Sequence, residues 1–159
     1  DDPTLEGGLA SASRIARFCV LAAGSTANML VAFVSHGAMF MIGAPEEQVF
    51  KTLVARGDKT GVLVFCIPGN FELHLKKAAT VSGNKSIEMV RAKELLPLTG
   101  YIRGGCSPVG MKKPFPTWID ETALLHERIY VSAGVRGTQI LLDPRDLLLL
   151  VDGTFADLV

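Results

Sequence analysis

The sequence predicts a mixed α+β fold in a single domain, and three observations carry that expectation. First, 48% of the 159 residues are hydrophobic and 20% charged, which suits one buried core and excludes a disordered chain. Second, short β-branched runs and short amphipathic runs follow one another without the regular strand–helix alternation of a doubly wound sheet. Third, turn and cap residues punctuate them at short intervals, with no internal repeat and no low-complexity tract.

Residues 18–45 contain no formally charged side chain, and Arg14 and Arg17 in front of them imitate the start of a signal peptide. Gly24, Ser25, Thr26, Asn28, Ser35, His36 and Gly37 interrupt the stretch. No unbroken run of about 18 apolar residues survives. Buried soluble segments are therefore expected here, with no membrane partner, against the alternatives of a processed leader or a membrane-associated segment. Residues 1–37 are set apart as a segment of undefined organisation, and 38–159 as the domain proper.

From Glu46 onward the punctuation is clearer. VFKTLVA and GVLVFCI flank Arg56-Gly57-Asp58-Lys59, a hairpin signal because Gly and Asp tolerate turn geometry. Pro68-Gly69-Asn70 ends the second strand. Residues 72–82 present Leu73, Leu75, Ala78, Ala79 and Val81 on a helical face, and Gly83 follows as a C-cap. Residues 85–90 alternate as a strand. Residues 92–96 favour a helix, and Pro97 is expected to stop it. Residues 117–120, 128–132 and 138–142 read as strands. Residues 144–151 read as a helix with Asp143 as N-cap and Pro144 at its first position. Residues 154–159 read as an edge strand.

Charge and cysteine content narrow the chemistry. Lys and Arg number 16 against 16 Asp and Glu, a net charge of zero. Residues 1–49 carry 2 − 5 = −3 and the remainder 14 − 11 = +3. Any nucleic-acid contact must therefore come from a local patch. Cys19, Cys66 and Cys106 contain no Cys-x-x-Cys pair. That excludes a disulfide scaffold and a Cys-rich zinc module, and suits a reducing, cytoplasmic compartment.

Lys51 is a lone cation in an apolar strand, with Val49 and Leu53 on its face. It reads either as a strand-edge lysine snorkelling to water or as a cation projecting into a cleft. The loop Gly104-Gly105-Cys106-Ser107-Pro108-Val109-Gly110 likewise admits two readings. It is a tight connection, or a place where backbone N–H groups reach a ligand's oxygens. It is neither a Walker A loop nor a nucleophile elbow. Cys106 could act as a nucleophile only with a base, and neither spacing nor signature links it to His36, His74 or His126. No His pair stands at i, i+4, so neither a metal nor a cofactor is expected. Lys76, Lys77, Lys112, Lys113 and Arg136 are basic clusters that read as solvated surface or as phosphate contacts.

The run GYIRGGCSPVGMKKPFPTWID (100–120) resembles the glycine-rich loop and following strand of the YbaK/EbsC family of freestanding aminoacyl-tRNA editing domains. VFKTLV (49–54), ELHLKKAA (72–79) and IYVSAGVRG (129–137) continue the resemblance in order and spacing. It is closest to the Cys-tRNA(Pro) deacylase branch. The resemblance implies a mixed sheet curled into a barrel-like core, surrounded by helices, and hydrolysis of the ester joining a wrong amino acid to tRNA. It implies catalytic roles for Lys51, Gly104, Gly105 and Ser132. Substrate contacts fall to Thr52, Cys106, Ser107, Pro108 and Arg136. The resemblance also implies that the protein supplies no covalent nucleophile and that the substrate cysteine's thiol attacks its own ester. Aminoacyl-tRNA is the implied partner, with prolyl-tRNA synthetase as a candidate second one. Residues 1–37 carry no match, and Arg103, Cys106 and Gln139 depart from the family's common residues. The alternative class is a module that binds aminoacyl-tRNA or a synthetase without hydrolysis.

Overall fold

The apolar runs on either side of Gly57 make the centre of the fold. The computed structural model describes residues 45–159; the expectations for residues 1–37, the apolar stretch up to residue 44, Cys19 and His36 lie outside them. After a single 3₁₀ turn (Glu46–Gln48), β1 (Phe50–Gly57) and β2 (Gly61–Pro68) pair antiparallel from Phe50↔Pro68 to Gly57↔Gly61. The strand GVLVFCIP is apolar throughout because both of its faces are covered. Leu63, Phe65 and Ile67 pack with Ala78 and Ala79 of α1 (Leu75–Val81), while Val64 and Cys66 join two clusters on the other face. The Phe65 ring stacks on Trp118, with centroids 5.5 Å apart.

The remaining elements are β3 (Ile87–Met89), α2 (Ala92–Thr99), β4 (Thr117–Asp120), a 3₁₀ turn (Glu121–Leu125), β5 (Ile129–Ser132), β6 (Gln139–Leu142), α3 (Pro144–Val151) and β7 (Thr154–Ala156). Among the described residues the main sheet has the order β3-β1-β2-β4-β7, with β2–β4 and β4–β7 parallel. β5 and β6 form a separate antiparallel pair, joined to the first sheet by the Val49–Tyr130 bridge. The mixed α+β expectation therefore stands. The barrel-like closure is not supported: among the described residues the five-stranded sheet is open, and its edge strands, β3 and β7, do not pair with one another.

Local signals explain most boundaries. Asp143 Oδ1 accepts the Arg145 amide at 2.8 Å and Pro144 opens α3, as its sequence requires. α1 starts later than its apolar face suggests, because His74 takes the N-cap position and its Nδ1 accepts the Lys77 amide. Pro97 does not stop α2, which runs on to Thr99 and closes on Gly100 (φ 87°). A proline in an eight-residue helix removes one internal hydrogen bond, and the Gly100 N–H to Leu96 carbonyl bond closes the next turn. At the hairpin turn Gly57 has no positive φ; a Cβ there would lie 2.3 Å from the Asn84 side chain. Its glycine makes room for Asn84, and the positive φ belongs to Gly61.

Candidate functional site

A gap in the sheet positions the site. β3 pairs with β1 only at Ala55–Gly57, and the Val90 amide then bonds the Val54 carbonyl. Among the described residues no strand pairs with that side of β1 at Phe50–Leu53. A cleft of ≈ 640 Å³ runs along this bare edge, lined by residues 49–54. Met89, Val90, Arg91, Ala92 and Leu95 line it from the β3–α2 junction. Arg103, Gly104 and Cys106 line it from the glycine loop, and Ser132 and Gln139, register partners in β5 and β6, complete it.

Lys51 reaches this cleft with few commitments. Its Nζ donates to the Gly69 carbonyl at 3.2 Å and lies 3.8 Å from Glu72, whose side chain is 97% exposed. Such a long, solvated ion pair holds the lysine weakly. Thr52 Oγ1 lies 3.9 Å from the Cys66 thiol beneath the cleft. Ser132 Oγ accepts the Gly134 amide at 3.3 Å, which orients the hydroxyl at the end of β5.

The glycine loop divides into a lining part and a supporting part. Gly104 has φ +86°, a left-handed conformation that favours glycine, and no acceptor among the described residues takes its N–H. Gly105 lies behind the cleft lining, and its N–H is already used by the Ile102 carbonyl at 3.0 Å. A Cβ on Gly105 would approach the Arg136 backbone nitrogen to 3.2 Å. Ser107 and Pro108 are buried in the loop, where Ser107 Oγ accepts the Val109 amide. Arg136 Nε donates to the Arg103 carbonyl at 3.0 Å, so Arg136 braces the loop from outside the cleft. Of the nine residues singled out from the sequence, Lys51, Thr52, Gly104, Cys106 and Ser132 line the cleft; Gly105, Ser107, Pro108 and Arg136 stand behind or beside it.

Burial keeps the site's thiols protonated. It pushes Cys106 up to about 11 against a hydrogen bond from Thr99 that lowers it, and pushes Cys66 up to about 12. Neither His74 nor His126 lines the cleft. Among the described residues no three His, Cys, Asp or Glu side chains gather closely enough to hold a metal ion.

Sequence reasoning missed the charge of the cleft. Among the described residues Lys51, Arg91 and Arg103 line it and no Asp or Glu does, although the chain as a whole is neutral. One local signal was available: Arg91 is the N-cap of α2, where a cation opposes the helix dipole and makes no cap bond. By contrast Lys77, one of the clustered lysines, is tied to Asp157 at 2.7 Å and does not line the cleft.

The model of the aminoacyl-tRNA editing domain matches residues 37–150. The chain belongs to the aminoacyl-tRNA editing domain family. Within that family it is 55% identical over 117 residues to the Enterococcus faecalis protein named "Putative Cys-tRNA(Pro)/Cys-tRNA(Cys) deacylase EbsC", covering 74% of this chain and 71% of that one. A solved structure of "a putative trans-editing enzyme for prolyl tRNA synthetase" superposes with a TM-score of 0.69 at 32% identity, covering 76% of each chain. A proline–tRNA ligase of Thermosipho africanus is 32% identical over 72 residues, 45% of this chain and 13% of the ligase. Among the described residues of this editing domain, no helix is long and apolar enough to cross a membrane.

Proposed function

We propose that this editing domain deacylates mischarged tRNA, with Cys-tRNA(Pro) as its substrate, by holding the substrate's own thiol against its ester. The observation that carries the reading is a basic cleft that, among the described residues, has an unbonded Gly104 amide, Lys51 and Ser132, and no activated side-chain nucleophile. A thiol held up at about 11 supplies almost no thiolate near neutral pH, and among the described residues no histidine lines the cleft to deprotonate Cys106.

In this reading the substrate thiol gives up its proton and its sulfur bonds to the ester carbon. The bond from that carbon to the terminal ribose oxygen breaks, and the ribose oxygen takes up a proton. Water then opens the resulting internal thioester. Proximity and orientation alone are worth several kcal/mol, on the order of 7 in well-held intramolecular reactions. Lys51 and the Gly104 amide stabilise the charge that develops on the carbonyl oxygen. Gly105 serves by geometry rather than as a donor, since its amide is committed to Ile102. Thr52, Ser132 and Cys106 shape the pocket for the aminoacyl group, while Ser107, Pro108 and Arg136 hold the loop in place.

The domain runs from residue 38 to 159, and it acts in the cytoplasm, where translation supplies its substrate. Prolyl-tRNA synthetase is the partner favoured by the likenesses to a proline–tRNA ligase and to a structure named for such a synthetase. The test is deacylation of a panel of mischarged tRNAs by the purified protein. Release of cysteine from tRNA(Pro), ahead of alanine or serine, is expected. Binding of every charged tRNA with release from none would make the protein a non-catalytic module instead.

A further inference from the structure

Two cations in the cleft have no acidic partner among the described residues, and their placement deepens the deacylase reading, on which this inference rests. Arg91 stands at the β3–α2 junction and Arg103 on the glycine loop, and both are exposed at the cleft that contains Lys51 and Gly104. Among the described residues neither guanidinium makes an ion pair or a hydrogen bond. Other cations are committed: Arg56 pairs with Glu94 at 3.4 Å and Lys77 with Asp157 at 2.7 Å. The backbone carrying both arginines is fixed. Val90 is tied to Val54, and Arg103 is tied through its carbonyl to Arg136 at 3.0 Å.

The substrate's own chemistry says what belongs there. The reacting ester sits on the ribose of the last nucleotide, and the nearest anion is that nucleotide's 5′ phosphodiester. A guanidinium offers a planar fork of donors matched to two phosphate oxygens. Two such forks beside the residues that face the ester meet a single strand of nucleic acid where its last phosphate must lie. Arg91 also stands at a helix N-terminus that disfavours a cation, and an incoming phosphate relieves that repulsion.

We propose that Arg91 and Arg103 clamp the terminal phosphodiester of the tRNA acceptor strand, setting the position of the ester over Lys51 and Gly104. They are binding residues, and the aminoacyl group is recognised elsewhere in the cleft.

The experiment compares Arg91→Gln, Arg103→Gln, the double variant and the two Arg→Lys variants with the unaltered protein. Two readouts are taken: affinity for uncharged tRNA(Pro) across a salt series, and hydrolysis of Cys-tRNA(Pro) beside cysteinyl-adenosine, which has no phosphate. Each glutamine variant is expected to weaken tRNA binding at least about fivefold and to flatten the log–log salt slope by about 0.7 per lost contact. The KM for Cys-tRNA rises in step, and the loss on cysteinyl-adenosine is several-fold smaller. The lysine variants keep the charge and recover most of the salt slope. Equal losses on both esters, or unchanged tRNA affinity and salt slope, would overturn the clamp. If the unaltered protein hydrolyses neither ester, the deacylase reading fails, and the binding series still decides whether the arginines hold phosphate.

Discussion

The two ends of the β1–β2 hairpin use the same kinds of residue for opposite purposes. At the turn, Asn84 Oδ1 accepts the Lys59 and Thr60 amides at 2.9 and 3.1 Å, and its Nδ2 donates to Thr60 Oγ1 and to Ser82. Asp58 caps the Lys85 and Ser86 amides beside it. At the other end, among the described residues, no strand pairs with one side of β1 along residues 50–53, the Gly104 amide has no acceptor, and Arg91 and Arg103 have no counter-ion. Exposed donors such as these are satisfied by water until a ligand displaces it. A concentration of unpaired donors and cations at a cleft is what a polyanionic ligand with an ester carbonyl completes. The turn end holds the fold, and in the proposed reading the open end receives the substrate.

The sharpest way to break this contrast is to remove the side chain that organises the turn. Asn84→Ala leaves two loop amides and the Ser82 hydroxyl without their partner. It should destabilise the protein by about 2 to 3 kcal/mol in a denaturant titration, while the folded fraction keeps its kcat on Cys-tRNA. A stable but inactive Asn84→Ala protein would show that the two ends are not separable.

The open end should respond in the reverse sense. Lys51→Ala is expected to slow deacylation at least about tenfold, or about 1.4 kcal/mol in the barrier, with little change in the denaturation midpoint because its ion pair is long and solvated. A folded variant with the unaltered rate would remove Lys51 from the mechanism.

A smaller effect comes from the buried thiols. Cys106 and Cys66 are raised from 9.0 to about 11 and about 12 in the folded protein, chiefly by burial. Between the unfolded and folded values the native state holds more protons than the unfolded one. Their contribution to stability is therefore complete below about pH 9 and declines as pH rises further. Alkylation of Cys106 should be slow at pH 8 and still climbing at pH 10, as mass spectrometry of quenched time points would read out. A reaction that levels off below pH 8 would mean an activated thiol.

Much of the open end was legible residue by residue, and little of it as an assembly. Lys51 stood out because a lone cation in VFKTLV conflicts with an apolar strand, and Gly104 because consecutive glycines in a loop call for a reason. What brings them together is not local. The cleft exists because β3 is three residues long and stops at Ala55, which no pattern in residues 85–90 reveals. Its charge comes from Lys51, Arg91 and Arg103, far apart in the chain and hidden in a net charge of zero. The division of labour within Gly104-Gly105 likewise depends on one hydrogen bond to Ile102. Pro97 misled in the other direction, since a rule about helix interiors says little about the last turn of a short helix closed by Gly100. Capping signals such as Asp143-Pro144 were read correctly because the groups they satisfy are within two residues.

The central claim is that the cleft positions a nucleophile belonging to the substrate, and one single-turnover comparison tests it most directly. Deacylation of tRNA(Pro) charged with cysteine or with serine is followed with the unaltered protein and with Cys106→Ser. Cys106→Ser should retain most of its rate on Cys-tRNA(Pro). Exchanging the substrate's cysteine for serine should slow either protein on the order of a hundredfold, because a hydroxyl is a far poorer nucleophile than a thiol near neutral pH. An inactive Cys106→Ser protein, together with an acyl thioester trapped on Cys106 of the unaltered one, would contradict the account and make this domain a cysteine hydrolase.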